Sequence, residues 1–142
     1  MQLTKHTDFA FRALIYLATD TSSHLATTSD ISDAYDISHN HVVKVVQKLS
    51  RAGFITSTRG RNGGISLAKP PDAINVADVV EQMEQTLTPA NCTNPECVIL
   101  ACCTLRRVLA EAQSEYLRHL STYSLEDLVK NEALESVLHV KQ

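Results

Sequence analysis

The chain has 142 residues, of which 44% are hydrophobic and 20% charged, and its net charge is −3. This length suits one compact domain or a small domain with an extension. There is no apolar run of 18 residues and no signal-peptide pattern at the start, so we expect no membrane span, no secretory leader and a cytoplasmic location. In that compartment the four cysteines are expected to stay reduced, and clustered cysteines there bind metal more often than they form disulfides.

The charge is distributed unevenly along the chain. No acidic residue lies between Asp36 and Asp72, whereas six lysines and arginines fall inside that window, and the rest of the chain carries −9. A basic segment in an otherwise acidic protein indicates a surface that binds a polyanion. A solvated charged face is the alternative explanation of the same pattern.

The first predicted elements are two helices. Four apolar residues follow the helical spacing i, i+4, i+7 and i+8: Phe9, Ala13, Tyr16 and Leu17. They predict a helix from about 8 to 19, capped by Thr7. After a loop, Thr28 or Ser29 is expected to cap a short second helix that has Asp30 in its first turn.

A third helix is predicted after a turn at 36–38, with Ser38 as its cap and Gly53 as its stop. Its apolar stripe consists of Val42, Val45, Val46 and Leu49. Six polar residues project on the opposite side: Asn40, His41, Lys44, Gln47, Lys48 and Arg51. The period of 3.6 residues favours a helix over a strand despite the β-branched content.

The segments "FITST" and "ISLAK" alternate around the glycine-rich tip "RGRNGG", which predicts a β-hairpin. Asn75 is a plausible cap for a fourth helix, and Ser124 with Asp127 resembles a capping box for a short terminal helix. Between them, a long helix is predicted from its apolar stripe: Leu105, Val108, Leu109, Ala112, Tyr116 and Leu120. So long a helix this late in a small chain can bury its stripe on a partner subunit. The predicted fold is therefore mainly α, a winged helix-turn-helix with a small β-hairpin wing and a long C-terminal dimerisation helix.

This arrangement predicts binding to double-stranded operator DNA. Residues near the start of the third helix suit base edges in the major groove: Asn40, His41, Lys44 and Gln47. Ser38, directly before the helix, is also expected to contact DNA. Lys48 and Arg51 lie further along and suit phosphates. At the hairpin tip, Arg59 and Arg61, with Asn62 beside them, suit insertion into an A·T-rich minor groove.

All four cysteines lie in the stretch "NCTNPECVILACC", residues 91–103. Cys92, Cys97 and Cys103 have the spacing C-x4-C-x5-C, which lacks the paired knuckles of most zinc sites and suits an iron–sulfur cluster better. Zinc, redox-active thiols and no metal remain alternatives. Extending the long helix backwards places Cys102 on its apolar stripe and Cys103 away from it, which favours Cys102 as a core residue and Cys103 as a ligand. A cysteine nucleophile paired with His119 is a further alternative, but nothing in this stretch resembles an activated thiol with an oxyanion site, and we expect no enzyme.

The whole chain resembles the dimeric iron–sulfur winged-helix regulators that include NsrR and IscR. The resemblance lies in the opening "MQLTKHTDFAFRALIYLA", the stretches "SDISDAYDIS" and "HNHVVKVVQKL", the wing "GRNGGISLA" and the cysteines before a long helix. The cysteine spacing is similar to that of the nitric-oxide-sensing branch. Arg106 stands where the IscR branch has a histidine, which disfavours a [2Fe-2S] site of that type.

The resemblance implies a homodimeric repressor in which Cys92, Cys97 and Cys103 hold a [4Fe-4S] cluster. It also implies that Asp8 of the other subunit is the remaining ligand, with Arg12 as its orienting partner. Nitrosylation or loss of the cluster would then release operator DNA, with nitric oxide as the signal. An iron- or thiol-based redox regulator of the same fold, holding a [2Fe-2S] cluster, zinc or no metal, is the alternative. The expected division is residues 1–72 for the DNA-binding domain and 73–142 for the cluster loop and dimerisation helices.

Overall fold

The computed structural model of the chain describes residues 2–20, 25–60 and 63–139. Its helices are α1 (Lys5–Thr19), α2 (Thr28–Tyr35), α3 (His39–Arg51), α4 (Val76–Met83), α5 (Thr104–Leu120), α6 (Leu125–Val129) and α7 (Glu132–His139). Its two strands are β1 (Ile55–Thr58) and β2 (Gly64–Leu67), and a 3-10 turn spans Pro71–Ala73. The predicted mainly helical, winged-helix architecture is confirmed. None of the helices formed by the described residues is long and apolar enough to cross a membrane.

α1 begins one turn earlier than the sequence predicted. Thr4 is its N-cap, and the Thr4 side chain accepts a hydrogen bond from the main-chain N–H of Thr7. Thr7, predicted as the cap, instead lies inside the helix and is completely buried. The apolar spacing of Phe9 and its neighbours could not show this start, because the first turn of α1 is polar.

α2 and α3 form the helix-turn-helix. Thr27 caps α2 with a reciprocal capping box to Asp30, so the cap lies one residue before the predicted pair. The turn contains Asp36 in the left-handed conformation, with φ 52°, which aspartate tolerates better than most residues. Ser38 stands at the N-cap of α3 as predicted, but its side chain makes no capping bond to the described residues.

The wing is an antiparallel hairpin in which Ile55 pairs with Leu67 and Thr58 with Gly64. The segment before α2 joins its outer edge, because the N–H of Ile65 donates to the carbonyl of Ala26 over 2.7 Å. Ile55 and Ile65 point into the core, while the remaining residues of β1 are exposed. The wing is therefore held against the helix-turn-helix by this hydrogen bond and by its two core residues.

One hydrophobic core connects these elements. α1 runs through its centre, with Ala10 and Leu14 completely buried, and Val45 and Leu49 of α3 pack into the same cluster. The cluster also contains residues beyond position 72: Ile74, Val79, Met83 and Leu125. The predicted division into two domains at residue 72 stays a prediction. Residues on both sides of that position contribute to the same core.

α4 begins at its predicted cap, since the Asn75 side chain accepts from the N–H of Ala77. The predicted capping box of Ser124 and Asp127 is also present at α6. Between α4 and α5 lies a segment without helix or strand, residues 85–103, which we term the cysteine loop. α7, which follows α6, was not predicted from the sequence.

Candidate functional site

The exposed face of α3 carries most of the residues predicted to contact DNA. Asn40, His41, Lys44, Gln47 and Arg51 are all exposed, and we term them the recognition surface. Its polarity follows from the helical period, because the four apolar residues of the predicted stripe are all buried on the other side. Ser38 is exposed directly before them. The structure thus brings the predicted base-reading residues together on one accessible helix face.

A cleft of about 520 Å³ runs along the same helix. It is lined by Lys44, Lys48 and Arg51 together with His6 of α1. Lys48 is half-buried, and its Nζ donates a hydrogen bond to the main-chain oxygen of Met83 over 2.8 Å. The lysine that the sequence assigned to a phosphate therefore also has a partner inside the protein.

α1 supports the start of α3 through aromatic and cationic contacts. The rings of Phe9 and His41 lie 6.0 Å apart and are tilted by 45°. The Arg12 guanidinium lies 5.8 Å from the ring centres of both Phe9 and Tyr35, a geometry in which a cation is attracted to the ring face. Burial and, to a lesser extent, the neighbouring Tyr16 raise the pKa of Tyr35 to about 12 although the positive charge of Arg12 lowers it, so the phenol stays neutral.

Asp8 and Arg12 form an ion pair, with 2.9 Å between Oδ2 and Nη2. Both side chains are about half exposed, at 47% for Asp8 and 41% for Arg12. The pair spans one helical turn, as the sequence predicted for an orienting partner. Asp8 is thus presented at the surface of α1, where a second molecule can reach it, and its role as a ligand stays a prediction.

The wing contributes one described basic residue, Arg59, which is exposed directly after β1. Gly60 follows it with φ 119°, a conformation that side chains other than glycine rarely adopt. The other two predicted residues of the tip, Arg61 and Asn62, lie outside the described residues. The minor-groove assignment of the wing stays a prediction.

The cysteine loop folds back on itself through main-chain turns. The N–H of Cys97 donates to the carbonyl of Cys92 over 3.0 Å, and Thr93 pairs with Glu96 inside that turn. Cys92, Cys97 and Cys103 are half-buried free thiols. Cys103 occupies the N-cap of α5. The three predicted ligands therefore lie in one loop and are buried from solvent to a similar extent.

Cys102 does not lie in the core, so that prediction is wrong. It is exposed, and its thiol donates a hydrogen bond to the carbonyl of Ile99 over 3.6 Å, in a turn before α5. The prediction extended the helix backwards through residue 102, but α5 begins at Thr104. A helical phase argument cannot apply to a residue that is outside the helix.

The chemistry of the three shielded thiols fits an iron–sulfur cluster, because soft thiolates are the ligands that such clusters take. In the single chain, no three histidine, cysteine or carboxylate side chains of residues 2–20, 25–60 and 63–139 lie close enough to hold a metal ion. The thiols are therefore the right type of ligand for a cluster, but the loop would have to bring them closer together to bind one.

The sequence did not reveal a polar junction at the base of the cysteine loop. One oxygen of Glu84, Oε1, accepts hydrogen bonds from the Thr7 hydroxyl at 2.6 Å and from the N–H and hydroxyl of Thr4 at 2.8 and 3.1 Å. Burial raises the pKa of Glu84, whereas these hydrogen bonds and the positive charge of Lys48 lower it. The lowering effects together are larger, so the pKa of Glu84 lies below its usual value. Burial and the Lys48 charge likewise lower the pKa of His6. No local signal could show the junction, since its members lie up to 80 positions apart.

α5 presents apolar side chains to the surface. None of its residues, all of which the structure describes, is buried. Leu105 is 63% exposed and Val108 is 47% exposed, and the adjoining loop exposes Val98 completely. Exposed apolar side chains of this kind suit an interface with another molecule, and the dimerisation role of α5 stays a prediction.

Comparison with known proteins identifies the family. A profile described as Rrf2, iron-dependent transcriptional regulator, matches residues 3–131. The fold is similar to that of CymR, the global cysteine regulator of B. subtilis, with a TM-score of 0.74, 22% identity and coverage of 91% of this chain and 96% of that one. It is also similar to T. potens IscR, with a TM-score of 0.74, 21% identity and coverage of 94% and 90%, respectively. The fold is similar as well to that of Staphylococcus aureus CymR, with a TM-score of 0.71, 20% identity and coverage of 90% of this chain and 98% of that one.

The family match covers nearly the whole chain and agrees with the winged-helix fold and the exposed polar face of α3. Members of this family are transcriptional regulators that bind operator DNA, usually as dimers, and they are not enzymes. The chain therefore belongs to the Rrf2 family of transcriptional regulators.

Proposed function

We propose that this Rrf2 regulator is a dimeric repressor that senses nitric oxide through an iron–sulfur cluster, a [4Fe-4S] cluster, held by Cys92, Cys97 and Cys103. The observation that carries the proposal is the set of three half-buried thiols, in the order C-x4-C-x5-C, in the loop that precedes α5. Asp8 of the partner subunit is proposed as the fourth ligand. A cluster held by these residues would supply iron that reacts with nitric oxide.

The residues of the chain explain how such a sensor could control DNA binding. The recognition surface on α3 reads base edges of the operator, and Arg51 at its end neutralises a phosphate. A dimeric reader needs its two recognition helices about one turn of DNA apart, so a small change in their spacing abolishes tight binding. Because Asp8 lies on α1, which packs directly against α3, a contact from Asp8 to the partner's cysteine loop would hold that spacing.

The test is to purify the protein without oxygen, measure iron and sulfide, and record operator affinity before and after a nitric oxide donor. Cys97→Ala should lose the visible absorption and the high-affinity binding. Cys102→Ala, in the same loop but exposed, is the matched control and should retain both. A wild-type protein containing zinc, or neither iron nor sulfide, would overturn the proposal, and so would Cys97→Ala that keeps its absorption.

A thiol-based redox regulator is the second candidate, and the exposure of Cys102 favours it. An exposed thiol adjacent to the half-buried Cys103 is accessible to oxidants. In this case metal-free protein should change its operator affinity on treatment with hydrogen peroxide and recover with a reductant, and Cys102→Ala should abolish the response. Under the cluster proposal, the same substitution leaves the response to nitric oxide intact.

A further inference from the structure

The last residue of α4 is bound to the recognition helix. Lys48 of α3 reaches across to the carbonyl of Met83, with 2.8 Å between Nζ and O. Carbonyls in the last turn of a helix lack an intrahelical donor, and a cation there is favoured by the helix dipole. Lys48 therefore satisfies the C-terminus of α4 while it lines the basic cleft beside Lys44 and Arg51.

The next residue, Glu84, is bound to the start of α1. Its carboxylate accepts the hydroxyl of the completely buried Thr7 and two donors of Thr4. Asp8, which follows Thr7 directly, projects from the same turn of α1. Two consecutive residues thus hold the helix that reads DNA and the helix that carries Asp8, and we term Met83 and Glu84 the hinge pair.

The hinge pair is also the base of the cysteine loop. α4 ends at Met83, and the chain then runs without helix or strand to Thr104. A change in the loop's conformation therefore pulls first on the carbonyl of Met83 and the carboxylate of Glu84. Since α1 and α3 both pack into one core, we expect a displacement at either contact to be passed on to the helix that it holds.

We propose that Lys48 and Glu84 are positioning residues that transmit the state of the cysteine loop to α3 and α1. Lys48 acts through the Met83 carbonyl and is not principally a phosphate contact. The identity of the signal rests on the function proposed above. The connection of the cysteine loop to α3 and α1 through Lys48 and Glu84 does not. The alternative role for Lys48 is a phosphate contact like that expected of Arg51.

The first test compares Lys48→Met with the matched control Arg51→Met, an exposed basic residue about one turn later on the same helix. Operator affinity is measured anaerobically against salt concentration, with and without a nitric oxide donor. Arg51→Met should lower the salt slope by about 0.9 and keep the response. Lys48→Met should keep the slope and reduce the ratio of affinities with and without the donor about fivefold or more. A lowered slope with an unchanged ratio overturns the proposal.

The second test needs no cluster. Amide hydrogen exchange is measured on metal-free wild type, Lys48→Met, Glu84→Gln and Arg51→Met. Lys48→Met should raise exchange at the end of α4 about tenfold, as expected for loss of a hydrogen bond to a charged group, and Glu84→Gln should raise it in the first turn of α1. Unchanged exchange in both variants overturns the connection. A wild type that contains no iron and ignores nitric oxide overturns the proposed function alone, because the exchange experiment still decides the connection.

Discussion

Asp8 and Arg12 are bound to each other on the surface of α1, with 2.9 Å between carboxylate and guanidinium, while Arg12 also lies against the rings of Phe9 and Tyr35. The contacts fix where the Asp8 carboxylate points. An exposed ion pair of this kind contributes only about 0.3–0.5 kcal/mol to stability. Its presence at the surface is therefore better explained by orientation of the carboxylate than by stabilisation of the fold.

The first prediction concerns Asp8→Ala. The substitution should lower the free energy of unfolding of metal-free protein by less than about 1 kcal/mol, because it removes only an exposed pair and a favourable helix-dipole interaction. In anaerobically prepared protein it should retain much of the cluster but change its visible spectrum or its response to nitric oxide. Glu111→Ala is the control, since Glu111 pairs with Arg107 at the same spacing on α5. An identical spectrum and response in both variants would remove Asp8 from the ligand set.

The second prediction separates base reading from phosphate binding on the recognition surface. Asn40→Ala should reduce discrimination between operator and unrelated DNA by about 1–3 kcal/mol, because a bidentate amide contact to a base edge is lost. Arg51→Ala should weaken binding to all sequences and lower the salt slope by about 0.9. Fluorescence anisotropy with both DNAs at several salt concentrations measures the two effects. If Asn40→Ala weakens both DNAs equally, the assignment of Asn40 to base edges is wrong.

The third prediction concerns the capping box of α2. Thr27 and Asp30 satisfy each other's main-chain N–H groups, with 3.2 Å from Asp30 N to Thr27 Oγ1 and 2.7 Å from Thr27 N to Asp30 Oδ2. Thr27→Ala should therefore destabilise the protein by about 1 kcal/mol. Urea unfolding provides the measurement, and the exposed Ser29→Ala in the same turn is the control. Equal stability of the two variants would contradict the structural importance of the cap.

The fourth prediction concerns pH and Glu84. Because hydrogen bonds and Lys48 hold the pKa of Glu84 below its ordinary 4.5 in the folded protein, its contribution to stability is complete above that ordinary value and is lost as pH falls through the folded pKa. Glu84→Gln should accordingly be less stable than wild type at neutral pH and lose less stability on acidification below pH about 4.5. The pKa of His6 is also lowered, and the Glu84 charge opposes that lowering, so His6 destabilises the variant more than wild type as pH falls below 6.5. The Glu84 contribution is therefore measured as the change in melting temperature below pH about 4.5, and parallel changes of the two proteins from there to pH about 3.5 would contradict it.

The fifth prediction concerns the exposed apolar side of α5. Leu105→Glu places a carboxylate in the proposed dimer interface and should raise the dimer dissociation constant about tenfold or more, because an unpaired charge is costly to bury. Ala110→Glu, on the opposite side of the same helix, should leave it unchanged. Sedimentation equilibrium measures both constants. A stable dimer with Leu105→Glu would place the interface elsewhere.

The sequence by itself determined those features that depend on neighbours along the chain. The buried and exposed sides of α3 followed from the period of its valines, the caps at Asn75 and Ser124 from short-range hydrogen-bonding chemistry, and the wing from alternation around glycines. The cysteine spacing identified three candidate ligands in the same way. These patterns involve residues close together in the chain, so the amino-acid sequence alone was sufficient to identify them.

Only the tertiary structure decided where local patterns stop and which distant groups meet. Cys102 is exposed because α5 begins at Thr104, a boundary that periodicity in an amphipathic segment does not mark. The hinge pair was equally hidden, because Lys48 and Met83 lie 35 positions apart, and Thr7 and Glu84 lie 77 apart. Such contacts form only when a packed core brings separate helices together, since the core positions each helix as a rigid body and so selects which polar groups must satisfy each other.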